Sequence, residues 1–321
     1  MKLKSTFLAA AAALSFISTP ASAVVFVAGD VFAAVGGGLV RHYSSAGVLK
    51  DTLNTTRGGF TTGMAFDTAG SLYVSSFSDA TVAKFSTTGA LLAAQYISGT
   101  GGSPESIVFN AAGEMLLGGP NVQLKRYSST GTLLQNYGAT RVDFIDLAAD
   151  QKTVFITEET PIIKRFDIST NSALTNFVDM TANGGTNGFA LRVLDNGDVL
   201  IAGGAKILQY SAAGAFLGGY DVTGVDNFFA LNLDSTNNTF WSGSFGNNTL
   251  YRFTLGNYGA NVSTQSIFAG GQLFGVAVFG ERTVAVPLVP EPGTWAMMIA
   301  GFGIVGGVAR SRRRRASAAL V

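Results

Sequence analysis

The sequence predicts an all-β fold: a single six-bladed β-propeller of four-stranded blades. Three observations lead there. A short aromatic motif recurs six times, turn residues separate short apolar runs throughout, and the two ends of the body supply complementary parts of one blade. The chain has 321 residues, with 41 glycines and 13% charged residues, against about 25% charged in an ordinary soluble domain.

The recurring motif is an apolar residue, then basic or polar residues, then an aromatic residue and a small polar one. Successive aromatics are 42, 42, 39, 44 and 43 residues apart, at Tyr43, Phe85, Tyr127, Phe166, Tyr210 and Phe253. Units of about 40–45 residues with four short strands are typical of propeller blades. We therefore expect the six aromatics to pack in the core between blades.

Hairpins with glycine-containing turns precede the aromatics, as at 66–74, 109–117 and 193–201. Glycine supplies the positive φ that such turns need, which accounts for its abundance. The segment 195–198, Asp-Asn-Gly-Asp, could suggest a calcium loop, but on the same grounds we interpret it as a hairpin turn.

Ring closure is predicted from the two ends of the body. The first unit lacks an innermost strand, because residues 24–27 have the pattern of the second strand of a blade. Residues 274–278, at the other end of the body, supply the missing innermost strand. A blade built from both ends would leave no open sheet edge. The repeats over 24–286 resemble NHL and gluconolactonase-like propellers, most clearly at 63–74.

Residues 1–23 are predicted to be a signal peptide. Two lysines precede an apolar stretch at 7–17, and Ala21 and Ala23 present small side chains at the cleavage site. The apolar stretch is too short to span a bilayer. We expect the mature chain to begin at Val24, outside the cytoplasmic membrane.

The C-terminal end is predicted to contain three segments. A proline-rich spacer covers 287–293, and a basic cytoplasmic tail covers 310–321. Between them, a 16-residue apolar membrane segment at 294–309 is predicted to form a short hydrophobic helix. The arginines of that tail are expected to stay on the cytoplasmic side. The notable residues are Pro290, Glu291, Pro292, Trp295, Arg312, Arg313, Arg314 and Arg315.

These last residues closely resemble the PEP-CTERM sorting signal. The resemblance implies a Gram-negative bacterium and an exosortase-type membrane protease as partner. It also implies transient membrane anchoring, followed by delivery to the cell surface or the extracellular space. Proteins of this kind are associated with exopolysaccharide and biofilm, so a polysaccharide or a matrix protein is the expected second partner.

Composition excludes several other functions. Without cysteine there is no disulfide scaffold, thiol catalysis or zinc–cysteine site, and a single His42 removes multi-histidine metal sites. The body from 24 to 289 has 14 basic and 19 acidic residues, a net charge of −5. Nucleic acid is therefore not an expected partner, because its binding needs a basic face.

A candidate ligand site lies where the innermost strands begin. Aligning these strands gives one column of six residues, which includes Thr62 and Phe274. Its other four members have oxygen-bearing side chains: Glu105, Asp143, Asn187 and Asn227. One interpretation is a hard cation such as Ca²⁺. The other, which we favour, is that polar residues cap the strand entries. Segments 104–106 and 186–191 resemble metal-ligand segments of the gluconolactonase and regucalcin-like family, which implies a divalent metal on the four residues.

The sequence favours a non-enzymatic surface or biofilm-matrix protein that binds or scaffolds exopolysaccharide, with no cofactor and no catalytic residue. The alternative is a metal-dependent gluconolactonase- or lyase-like hydrolase that uses the propeller channel. A purely structural matrix subunit is the third hypothesis. Glu158 and Glu159, if in a strand, would point to opposite faces, which argues against an acid–base pair.

Overall fold

The computed structural model describes residues 24–139, 141–235 and 238–281. Short strands account for almost all of its regular structure. Two short 3₁₀ helices, Phe77–Asp79 and Thr181–Asn183, are the helical elements of these ranges. In chain order the strands are β1 (Val31–Val35), β2 (Leu39–Tyr43), β3 (Leu49–Asn54), β4 (Thr61–Phe66), β5 (Leu72–Ser76), β6 (Thr81–Phe85), β7 (Leu91–Ser98), β8 (Ser106–Phe109), β9 (Met115–Gly119), β10 (Val122–Tyr127), β11 (Leu133–Asn136), β12 (Phe144–Leu147), β13 (Thr153–Thr157), β14 (Ile162–Asp167), β15 (Ser172–Ala173), β16 (Val178–Asp179), β17 (Leu191–Val193), β18 (Val199–Ala202), β19 (Ile207–Tyr210), β20 (Phe216–Tyr220), β21 (Phe228–Leu233), β22 (Thr239–Ser244), β23 (Thr249–Thr254), β24 (Ser263–Phe268) and β25 (Leu273–Val278).

The strands form six antiparallel sheets, which are the six predicted blades. From the innermost strand outwards, blades 1 to 6 are β25-β1-β2-β3, β4-β5-β6-β7, β8-β9-β10-β11, β12-β13-β14-β15, β17-β18-β19-β20 and β21-β22-β23-β24. The outermost strand of blade 4 is split, because β16 also pairs with β14. The predicted fold class is confirmed over the described residues.

Blade 1 closes the ring with strands from both ends of the body, as predicted. Its innermost strand, β25, pairs with β1 in a register that places Val31 opposite Val278. The prediction of a second strand at 24–27 was wrong, since that strand is β1, seven residues further on. All five β1 side chains are buried, whereas Val25 and Val27 are each 57% exposed. A second strand is covered on both faces, so it needs the continuous apolar run that β1 has.

Each interface between neighbouring blades has its own apolar cluster. Each of the six clusters contains one of the repeated aromatics, so the prediction that they pack between blades is confirmed. All six are at least 94% buried. Burial of each such ring stabilises its interface by about 1.5–3 kcal/mol.

The innermost strands β25, β4, β8, β12, β17 and β21 surround a central channel. They approach so closely that glycine is required at two contacts. A Cβ on Gly63 would lie 2.5 Å from the Glu105 carbonyl oxygen, and a Cβ on Gly275 would lie 2.1 Å from the Thr62 carbonyl oxygen. We call the end of the channel where these six strands begin the strand-start mouth, and the opposite end the strand-end mouth.

Three other sequence interpretations can be compared with the structure. His42 is fully buried, stacks on Phe32 at 4.4 Å and contacts Asp30, so it is a packed residue. Glu158 and Glu159 lie in the turn after β13 rather than in a strand, and they pair with different cations. The 195–198 segment is the β17–β18 hairpin turn, with Gly197 at φ +84°.

The predicted signal peptide, with Ala21 and Ala23, lies outside the described residues. So do the spacer, the apolar segment and the basic tail after Glu281. Within 24–139, 141–235 and 238–281, no helix has both the length and the apolar character to cross a membrane.

Candidate functional site: the central channel

The strand-start mouth has an aromatic half. Five phenylalanine side chains from blades 5, 6, 1 and 2 form a continuous series, with ring centroids 4.9, 6.3, 5.5 and 4.5 Å apart. We call it the phenylalanine arc; in order its members are Phe189, Phe229, Phe245, Phe274 and Phe60. Phe60 is 41% exposed and Phe245 38% exposed, so the arc presents apolar rings to solvent.

Different local structures place these rings. Phe274 and Phe229 lie in the innermost strands β25 and β21, whereas Phe60 immediately precedes β4. Phe245 follows β22, where its backbone N–H donates to the Asn227 carbonyl at 2.9 Å. Loops and strands therefore contribute to the same surface, which is common for ligand sites on a rigid scaffold.

The other half of this mouth is ionic and comes from blades 3 and 4. Asp143, fully buried just before β12, accepts hydrogen bonds from Arg141 Nε and Nη2 at 2.8–3.2 Å. Arg141 Nη2 also donates to Glu159 at 2.8 Å. Burial raises the pKa of Asp143, and the Arg141 guanidinium opposes that rise. One guanidinium thus holds two carboxylates.

Glu105, just before β8, is the unusual member of this half. The residue is 5% exposed, and no described residue forms a hydrogen bond or ion pair with its carboxylate, whose oxygens keep some contact with accessible space. Burial raises the pKa of Glu105 well above its ordinary value, and the nearby Asp143 and Glu159 carboxylates add to the rise, while Arg141 opposes it. A buried carboxyl group without a partner is costly, so this is a position at which a ligand would be stabilised.

The channel narrows sharply below the strand-start mouth. Phe144 of blade 4 reaches towards blade 6, where its ring centroid lies 5.1 Å from that of Phe229. Under it remains a space of about 20 Å³, bordered by Thr62, Glu105 and Arg192 among others. Such a volume holds about one group of the size of a water molecule.

The strand-end mouth opens into a larger cavity of about 490 Å³, lined by the ends of the innermost strands. Arg192 lies at its floor and donates from Nε to Glu281 at 2.7 Å. Asp146 accepts backbone N–H groups from Leu147 at 2.9 Å and Val193 at 2.7 Å. Burial raises the pKa of Asp146 to about 6, and the Arg192 charge opposes the rise.

Both ends of the described chain lie at the strand-end side. The Phe26 ring is 6.0 Å from Phe66, the last residue of β4, and 5.8 Å from Phe279, which follows the end of β25. Glu281, the last described residue, borders the strand-end cavity itself. The strand-start mouth is therefore on the face opposite to Val24 and Glu281, the first and last described residues.

The structure brings the predicted column together only in part. Glu105 and Asp143 lie at the same mouth and interact electrostatically. Asn187 is half-buried in the loop four residues before β17, and Asn227 is exposed at φ +60° just before β21. Among the residues that the structure describes, no three His, Cys, Asp or Glu side chains form a group suited to a metal ion.

Sequence reasoning missed the phenylalanine arc and the cluster of Asp146, Arg192 and Glu281. A usable signal existed for the cluster, because Asp146 and Arg192 are charged residues inside innermost strands that are otherwise apolar. Such residues must face the channel, since the other sides of these strands are packed against neighbouring blades.

Comparisons with known proteins agree with the two main sequence interpretations. Residues 288–314 match the PEP-CTERM protein-sorting motif. The fold is similar to a chain of the crystal structure of a nidogen/laminin complex, with a TM-score of 0.60 and 14% identity, covering 78% of this chain and 98% of that one. A computationally designed protein, Ika8, aligns at a TM-score of 0.47 and 17% identity, covering 78% and 74%. The search of curated protein sequences gave no match.

Fold and motif together define the class: an exported protein whose body is a six-bladed β-propeller, consistent with the NHL-like repeats expected from the sequence. It carries a PEP-CTERM sorting motif, which is anchored at the membrane before it is processed by exosortase, itself a membrane protein.

Proposed function

We propose that this chain is a non-enzymatic binding protein of the cell surface or biofilm matrix, which holds an extracellular polysaccharide at its strand-start mouth. The observation that carries the proposal is the combination there of exposed phenylalanine rings with a partnerless carboxyl group. The apolar C–H face of a sugar ring packs on an aromatic ring, and carboxylates accept hydrogen bonds from sugar hydroxyls.

The position of the chain ends supports this choice of mouth. Residues 282–293 separate Glu281 from the proposed membrane segment at 294–309. Twelve residues span at most about 40 Å when fully extended. Before processing, the body therefore stays within about 40 Å of the membrane segment, and the tether leaves from the strand-end side, so the strand-start mouth is left free to face outwards.

The test is binding of the full chain, purified in detergent, to matrix polysaccharide prepared from the producing bacterium. The double variant Phe60→Ala/Phe245→Ala removes the two most exposed rings of the arc. Phe268→Ala is the matched control, since this ring is 65% exposed on β24, far from the channel. We expect the double variant to bind at least about fivefold more weakly, since each lost ring contact contributes about 0.5–1.5 kcal/mol. Equal affinity of the double variant and the control would refute the proposal.

A second candidate is the metal-dependent gluconolactonase- or lyase-like hydrolase, with a divalent cation on Glu105, Asp143, Asn187 and Asn227. The unpartnered Glu105 carboxyl favours it, because a cation would also satisfy that group. Arg141 weighs against it, since its guanidinium already neutralises Asp143. Stoichiometric metal in elemental analysis, with lactone hydrolysis lost in both EDTA and Glu105→Ala, would establish the hydrolase instead of the binding protein.

A further inference from the structure

We propose that Glu105 and the narrow space below the phenylalanine arc form a subsite for a primary ammonium group, so that the bound polymer is a polysaccharide with free amino groups. This inference rests on the proposed function and names the chemical class of its ligand. Glu105 is 95% buried and lacks a partner among the described residues, while every other carboxylate near it has one.

The size of the space selects the cation. About 20 Å³ admits one group of the size of water. A primary ammonium group is of that size, whereas a trimethylammonium group and an acetamide are larger. An ammonium group also needs acceptors for three N–H bonds, and Glu105, Thr62 and Ser106 border the space. The Thr62 hydroxyl donates to the Pro104 carbonyl and the Ser106 hydroxyl accepts from the Ile145 N–H, so each hydroxyl oxygen keeps a lone pair for a further bond.

The charge around the space also favours a cation. At the strand-start mouth, Glu105, Asp143 and Glu159 face one cation, Arg141. From the other side, Arg192 borders the same space, and its guanidinium is paired with Glu281, with Asp146 close by. Five carboxyl groups thus face two guanidiniums, a net charge of −3 when all are ionised. A polymer of carboxylate sugars would be repelled.

The experiment is isothermal titration of the full chain with three oligosaccharides of equal length: glucosamine oligomers, their N-acetylated forms and their N-trimethylated forms. Glu105→Gln is the test variant. Glu114→Gln, on the same blade but beside Arg126 and away from the strand-start mouth, is the matched control.

We expect the amine oligomer to bind at least tenfold more tightly than either modified form. In Glu105→Gln this preference should disappear, and in Glu114→Gln it should remain. The wild-type preference tests the subsite even if Glu105→Gln fails to fold. Equal binding of the three oligomers would overturn the ammonium subsite but leave polysaccharide binding intact, whereas binding of none would overturn the proposed function as well.

Discussion

Asp146, in the floor of the strand-end cavity, should give the protein an unusual dependence of stability on pH. Burial raises its pKa from 3.8 to about 6 in the folded chain. Between these values the folded state holds a proton that the unfolded state has released, so stability is complete below about pH 4 and decreases as the pH rises through 6. A difference of about two pKa units corresponds to about 3 kcal/mol.

The perturbation that isolates this group is Asp146→Asn. The variant loses one acceptor, for the N–H of Leu147 or Val193, at a cost of about 1–3 kcal/mol that does not depend on pH. It also loses the titrating group. The free energy of unfolding should therefore be larger for the wild type than for the variant at pH 4, and by pH 7.5 it should be equal to or smaller than that of the variant. Urea unfolding across this range is the assay, and Asp226→Asn, at an exposed site, is the control. The same pH slope in wild type and Asp146→Asn would refute the reasoning.

Two further predictions concern the body of the propeller. Gly275→Ala would place a Cβ 2.1 Å from the Thr62 carbonyl oxygen and should destabilise the fold by about 2–4 kcal/mol. In the control Gly36→Ala the new Cβ meets nothing within 4 Å. Thermal unfolding compares the two variants, and equal melting temperatures would contradict the close approach of β25 and β4. Burial lowers the pKa of His42 below its ordinary 6.5, against the opposing effect of Asp30. The neutral His42 of the folded state should therefore add stability that is lost as the pH falls below about 6.5. An NMR titration of this single histidine measures the pKa, and a midpoint above 6.5 would contradict the prediction.

The sequence predicted the blades well because their signal is periodic and physical. Each repeated aromatic fills one interface between blades, so its spacing directly reports the blade length. Closure by 274–278 could be predicted because a ring with an open edge is unfavourable. The partner strand was misplaced at 24–27, since both Val24–Val27 and Val31–Val35 are apolar, and only packing distinguishes them.

The channel was harder to predict. Glu105 and Asp143 precede their strands at the same position, so alignment of the repeats brought them to one mouth. Phe60 and Phe245 belong to loops with no common register, and no repeat alignment could have joined them with Phe274. That Arg141 binds Asp143 but leaves Glu105 free depends on side-chain geometry, which spacing alone does not reveal.

The most direct measurement of the central claim is ¹⁹F NMR of the full chain labelled with fluorophenylalanine, titrated with matrix polysaccharide from the producing bacterium. The resonances of Phe60, Phe245 and Phe274, assigned by single Phe→Leu variants, should shift with a common saturation curve, while that of the exposed Phe268 should not move. Shifts at Phe268 with none in the phenylalanine arc would contradict binding at the strand-start mouth.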